Sequence, residues 1–152
     1  MSTKDLGNLA ENIAARYLEE GGYEILDKNY EKAWGEIDII AKYQRSNIKN
    51  QNFGVPLDGT AKKDDDDAKV ADGDDDKTII FVEVKANRSD FAGDFAPEER
   101  VNAHKLAKIA KVAQFYMDNE FEGQDLEWRI DAISVVFDEQ NKKAKIKHFK
   151  NI

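Results

Sequence analysis

Apolar and polar positions repeat along this chain with two different periods, and the changes between them mark out its elements. From Thr3 to Glu20 the period is helical: Leu6, Leu9, Ala10, Ile13, Ala14, Tyr17 and Leu18 fall on one face, Thr3 is placed to cap, and Gly21-Gly22 ends the run. Tyr23 to Tyr30 and, after a Trp34-Gly35 turn, Glu36 to Tyr43 read as two strands able to form a hairpin. Thr78 to Ala86 is the strongest strand signal, apolar enough on both faces to be central in a sheet. Pro97 with Glu98 and Glu99 predicts the start of a second helix, running to about Asn119 and burying Leu106, Ile109, Ala110, Ala113 and Tyr116. Glu127 to Phe137 and Ala144 to Phe149 complete the pattern as strands. The predicted order is αβββαββ, without repeats, in a single α/β domain over residues 1–152.

Gln44 to Lys77 breaks both periods. Its 34 residues hold Gly54, Pro56, Gly59 and the acidic runs Asp64 to Asp67 and Asp74 to Asp76, with too few apolar side chains to build a core. The segment reads as a long, mobile acidic loop inserted in the domain. No alternating Asp or Asn series leads into glycine and a later glutamate, so an EF-hand is not indicated. It carries nine Asp against six Lys and Arg, or −3 of the net −8, leaving −5 for the rest. Basic surface is nevertheless available: Lys105, Lys108 and Lys111 recur along the second helix, and Lys142, Lys143, Lys145, Lys147 and Lys150 crowd the C-terminus. The chain has no cysteine, which excludes disulfides, thiolate metal sites and cysteine nucleophiles and suits a reducing compartment. No segment approaches the roughly twenty apolar residues that span a bilayer, so the expected location is cytoplasmic, with no membrane partner.

The candidate chemistry sits where charge interrupts apolar strands. Strand alternation puts Glu83 and Lys85 on one face of the central strand, and Glu36 and Asp38 on one face of the strand before it. If these strands pair, Asp38 comes within a few ångströms of Glu83. Such a carboxylate pair suits a hard cation such as Mg2+ (or Mn2+), which takes oxygen ligands and keeps several waters. Lys85 is then placed to orient an attacking water and stabilise developing negative charge at a phosphodiester. The plainer account is a half-exposed strand with an outward salt bridge. Against it, charges within buried strands are costly unless paired or bound to metal.

With Gly7, Glu11, Ala14, Tyr17 and Leu18 on the first helix, Asn29, the Gly35-Glu36-Ile37-Asp38 and Phe81-Val82-Glu83-Val84-Lys85 blocks, and later Lys105, Arg129-Ile130-Asp131 and Ile146 to Asn151, the chain resembles the YraN-like family of bacterial proteins. That family belongs to the restriction-endonuclease-like, PD-(D/E)XK superfamily and is similar to archaeal Holliday-junction resolvases. The resemblance implies a mixed central sheet flanked by helices, with Asp38 and Glu83 as metal ligands, Lys85 as catalytic lysine and Glu11 as an accessory metal-side carboxylate. By period alone Glu11 is an ordinary helix acid. Glu36 either helps to orient the metal surroundings or pairs with a surface lysine. The resemblance singles out Lys105 as the substrate contact in a nucleic-acid-binding stripe with Lys108 and Lys111, which reads equally as a solvated face. Two departures stand out: the insertion falls where a short hairpin turn is expected, and Ala86-Asn87 follows Lys85 where the family tends to carry a small hydroxylated and then a basic residue.

Arg129 and Asp131 read as a structural ion pair. His104 and His148 are isolated in sequence and are assigned no chemistry. Trp34, Trp128 and the phenylalanines are expected in core or turn packing rather than as base-stacking platforms. The leading functional expectation is a metal-dependent endonuclease acting on DNA, including branched or structured DNA. The alternatives are a non-catalytic nucleic-acid-binding module on the same fold and an interaction protein working through its acidic loop. A homodimer is expected by analogy with resolvase-like enzymes alone.

Overall fold

The computed structural model describes residues 2–44, 77–88 and 101–152. Seven elements follow in the predicted order: α1 (Thr3–Glu20), β1 (Tyr23–Lys32), β2 (Gly35–Tyr43), β3 (Thr78–Arg88), α2 (Ala103–Glu120), β4 (Glu127–Asp138) and β5 (Lys143–Phe149). The strands form one five-stranded sheet in sequence order. Neighbours are antiparallel except β3 and β4, which run parallel. A parallel link needs a crossover, and the segment containing α2 provides it.

Each helix covers one face. On one side α1 packs Leu6, Ala10, Ala14, Ala15 and Leu18 against Ile39, Ala41, Ile80, Val82, Ile133 and Val135. On the other, α2 packs Ile109, Val112, Ala113, Tyr116 and Met117 against Ile37, Ile40, Ile79, Phe81 and Ile130. The central strand is β3, buried continuously from Thr78 to Glu83, as its run of apolar residues on both faces predicts. At one edge of the sheet, β5 turns Ala144 and Ile146 toward the α1 side, with Lys143, Lys145 and Lys147 alternating between them.

Two helix starts differ from expectation. Ser2 rather than Thr3 caps α1: its hydroxyl accepts from the Asp5 N–H at 3.1 Å, and the Asp5 carboxylate accepts from the Ser2 N–H at 3.1 Å. That reciprocal box satisfies two otherwise unpaired donors, which Thr3, followed three residues later by Leu6, does not. The second helix begins at Ala103, where the Asn102 side chain accepts from the Lys105 N–H at 2.8 Å. A side-chain cap, not the Pro97-Glu98-Glu99 signal, sets this start, and Pro97 lies outside the described residues. The acidic insertion expected over Gln44 to Lys77 also lies outside them, apart from its two end residues. Among the described residues, no helix is long and apolar enough to cross a membrane.

The β1–β2 turn is seated directly on α2. A Cβ added to Gly35 would come within 2.8 Å of Val112 Cγ2, and a helical valine has little rotamer freedom with which to yield. Gly35→Ala is therefore expected to cost about 1–3 kcal/mol through overpacking. In a thermal melt this is a fall of roughly 3–10 °C; an unchanged midpoint would show that the turn simply moves aside.

Candidate active site

Alternation breaks within β2, beside Asp38. Ile37 packs on the α2 side whereas Ile39, two residues on, packs on the α1 side. The register of β1 on β2 passes from Lys28↔Ile39 to Tyr30↔Ile37, skipping Asn29 and Asp38. Asn29 has φ 52, in the left-handed region that asparagine tolerates better than most residues. On its other side β2 pairs with β3 from Lys42↔Ile79 to Ile39↔Val82 and no further. Asp38 and Glu83 are the next positions along, where the two strands part. There the Val84 N–H donates to Asp38 Oδ2 at 2.7 Å, a side chain standing in for the ladder partner.

Both carboxylates are buried, Asp38 at 9% and Glu83 at 5% exposure, and they hydrogen-bond to each other. Burial pushes the Asp38 carboxyl up to about 7; the neighbouring Glu83 charge adds to this, the Val84 N–H opposes it, and the Glu11 charge contributes further. Asp38 thus holds a proton up to near neutrality while hydrogen-bonded to Glu83. From α2 the Lys105 ammonium forms an ion pair with Glu83 Oε1. Burial works against the charge on Lys105, but the hydrogen bond and charge of Glu83, with Asp38 and Glu36 behind it, outweigh that and raise its pKa.

The remaining predicted residues are distributed around this pair. Lys85 is half-buried; the alternation that sends Ile79 and Phe81 to the α2 side carries Glu83 and Lys85 there too. Glu11 on α1 is partly buried and reaches Asp38 through its charge. Glu36 is exposed and acts electrostatically on Lys105. Lys108 and Lys111 are exposed on α2. The structure therefore joins Asp38, Glu83 and Lys105 directly. Among the described residues, however, no three His, Asp or Glu side chains form a group that could hold an ion by themselves.

The residues fit a hard cation in two respects. The donors are carboxylate oxygens, and their mutual burial in the absence of a cation forces protonation of one, a penalty that a divalent ion would remove. Next to Lys85 in the β3–β4 register lies Ser134, whose buried hydroxyl has no hydrogen-bond partner. A bound water or ligand atom is the ordinary remedy for such an orphan. A cavity of about 400 Å³ opens elsewhere, at the C-terminal end of α2 between Met117, Phe121, Leu126 and Trp128, with none of these residues in its wall.

A second polar cluster lies on the α1 side and gives His148, which has no second histidine at ligand spacing, partners distant in the chain. Its Nε2 is 2.8 Å from Asp131 Oδ2, and its Nδ1 is 3.3 Å from the Tyr17 hydroxyl. Arg129 donates from Nε to Asp131 Oδ1 at 3.0 Å and from Nη2 to the Tyr23 hydroxyl at 3.2 Å. The Asn151 N–H donates to Asp131 Oδ1 at 2.9 Å. Burial would raise the pKa of Asp131, but the His148 and Arg129 hydrogen bonds, with Asn151, outweigh it and hold the carboxylate below its usual range. Such a closed network ties α1, β1, β4 and the C-terminal segment together. Neither local spacing nor periodicity signals it, because Tyr17 and His148 are 131 positions apart.

Comparison with known proteins places the chain in a family. The family described as Uncharacterised protein family UPF0102 matches residues 10–135, a span that includes Glu11, Asp38, Glu83, Lys85 and Lys105. A UPF0102 protein of Clostridium botulinum (strain 657 / Type Ba4) is 32% identical over 148 residues, covering 97% of this chain and 93% of its own length. One from Caldicellulosiruptor bescii is 32% identical over 151 residues, covering 99% and 98%. One from Caldanaerobacter subterraneus subsp. tengcongensis is 37% identical over 117 residues, covering 77% and 68%. With the match spanning most of its length and relatives aligned nearly from end to end, the chain belongs to the UPF0102 family, the YraN-like family that its sequence resembles.

Proposed function

We propose that the protein is a metal-dependent endonuclease hydrolysing phosphodiester bonds of DNA, on a core of the restriction-endonuclease type related to that of archaeal Holliday-junction resolvases. The observation that carries this reading is the buried, hydrogen-bonded carboxylate pair Asp38 and Glu83 at the point where β2 and β3 part, with Lys85 following on the same face of β3. Structural carboxylates do not need to be buried against one another; a cation site does. Asp38 and Glu83 would hold Mg2+ or Mn2+, with Glu11 as the accessory charge, and the ion would supply Lewis acidity toward water and phosphate.

The chain's own residues have distinct tasks in this scheme. Lys85 orients the attacking water and stabilises the charge that builds on the phosphate oxygens. Lys105 neutralises Glu83 while no cation is present, and the proton stays on Asp38. Its half-exposed ammonium can exchange that carboxylate for a substrate phosphate. Lys108 and Lys111 continue the cationic stripe away from the pair.

A second reading, a nucleic-acid-binding module that keeps the fold without cutting, is favoured by the lack of a ready-made three-ligand group among the described residues. One experiment separates them. Linear, single-stranded and four-way-junction DNA are incubated with wild type, Glu83→Ala and Lys85→Ala, each with magnesium, manganese or chelator. The nuclease reading expects cutting that needs metal and falls by at least about 100-fold in both variants. Binding without cutting under every condition assigns the protein to the module class instead.

A further inference from the structure

Among the described residues only three large apolar side chains are exposed, Leu9, Trp34 and Phe115, and two of them touch. Trp34, at the β1–β2 turn and 45% exposed, stacks edge to face on Phe115 of α2, which is 38% exposed, with ring centroids 5.5 Å apart. The Lys32 ammonium lies 5.0 Å from the Phe115 centroid and 5.0 Å from that of Tyr30. By contrast Trp128 is partly buried against Phe81. Gly35 makes this arrangement possible, since without a side chain it lets the turn settle onto the Lys108–Val112 stretch of α2 and bring Trp34 against Phe115.

The position connects the aromatic pair to the carboxylates. Lys108, Lys111 and Phe115 recur at three- and four-residue spacing along one side of α2, and Lys105, one turn before, is bound to Glu83. From Lys105 to Phe115 is about 15 Å along the helix axis. We propose that Trp34 and Phe115, with Lys32, form a stacking platform for an unpaired base, on a DNA strand whose backbone follows Lys108 and Lys111 toward Asp38 and Glu83. The proposal rests on the nucleic-acid reading above and specifies its substrate: a strand with unpaired nucleotides, not a continuous duplex. The rings meet edge to face, so a base stacks on one exposed ring face, which accepts any base, and the nearby Lys32 supplies the charge its phosphate needs, which favours a nucleic-acid occupant over an apolar protein segment. The cationic surplus is small, because Glu31 and Glu36 share this hairpin and Lys105 is committed to Glu83. Stacking, not charge, therefore carries the affinity.

The test is fluorescence anisotropy with a labelled oligothymidylate and a labelled hairpin duplex of equal length, in chelator and at two salt concentrations. Wild type is expected to prefer the oligothymidylate. Trp34→Ala and Phe115→Ala are expected to weaken its binding roughly 5- to 100-fold at both salt levels, while Trp34→Phe keeps most of it. Lys108→Ala and Lys111→Ala lower the salt dependence instead. Oligothymidylate binding that is indifferent to Trp34→Ala, in a variant that melts like wild type, overturns the platform, as does equal affinity for the duplex. Chelator removes cleavage from the measurement. Metal-dependent cutting together with Trp34-indifferent binding defeats the platform alone, and Trp34-dependent binding without cutting under any metal upholds it while defeating the nuclease reading.

Discussion

Asp131→Ala is expected to destabilise the protein by about 3–5 kcal/mol, because it leaves the half-buried Arg129 guanidinium without its carboxylate and frees the His148 ring and the Asn151 N–H at once. For a chain of this size that is a fall in melting temperature of roughly 6–20 °C. Asp131→Asn keeps the volume and one acceptor but not the charge, so its loss should be smaller. The pH dependence has a definite sign. The folded pKa of Asp131 is lowered from 3.8, so its contribution is complete above about pH 4 and disappears as pH falls through the folded value. Circular-dichroism melts of wild type and Asp131→Asn should therefore differ most at neutral pH and converge in acid. A loss under about 1 kcal/mol for the alanine variant would mean that Arg129 is held adequately by Tyr23 and solvent.

Asp38→Asn should do the opposite and stabilise the metal-free protein. Its carbonyl oxygen can still accept from the Val84 N–H and its amide can donate to Glu83, while the charge that burial disfavours is gone. Because the folded pKa of Asp38 is raised from 3.8 to about 7, the folded state binds the extra proton, and wild type loses stability as pH climbs through that window. At about 1.4 kcal/mol per unit the loss by pH 8 is on the order of 2–4 kcal/mol, with Lys105 offsetting part of it. The variant is expected to melt roughly 5–10 °C higher than wild type at pH 8 and at nearly the same temperature at pH 4. Added Mn2+ should raise the wild-type midpoint and leave the variant's unchanged. If Asp38→Asn melts lower at pH 8, the carboxylate is a structural acceptor and the cation site loses its main support.

How much of this was legible beforehand depended on the range of the interaction. The run of apolar residues from Ile79 to Val82 was enough to make β3 central, since only a strand covered on both faces tolerates it. Alternation likewise put Glu83 and Lys85 on one face, and the approach of β2 to β3 brought Asp38 to Glu83. Helix starts were less legible: Ser2 and Thr3 are both good caps, and the choice turned on Asp5. The break at Asp38, across the hairpin from Asn29 in the left-handed region, has no signal in the local pattern. The Lys105 pairing with Glu83 followed from how α2 packs, which no local pattern encodes. The His148 network has no local signal for the same reason, its partners being brought by α1 and β4.

The lysines of β5 have a bearing on assembly. An edge strand exposes unsatisfied backbone groups that invite a second copy to extend the sheet. Two β5 strands meeting antiparallel would set Lys143, Lys145 and Lys147 of one chain against the same ammonium groups of the other, and like charges directly opposite repel. Sheet-to-sheet continuation through this border is thereby discouraged, which protects against runaway aggregation. Among the described residues, the helical faces and the β1 border carry no such repulsive row of strand lysines.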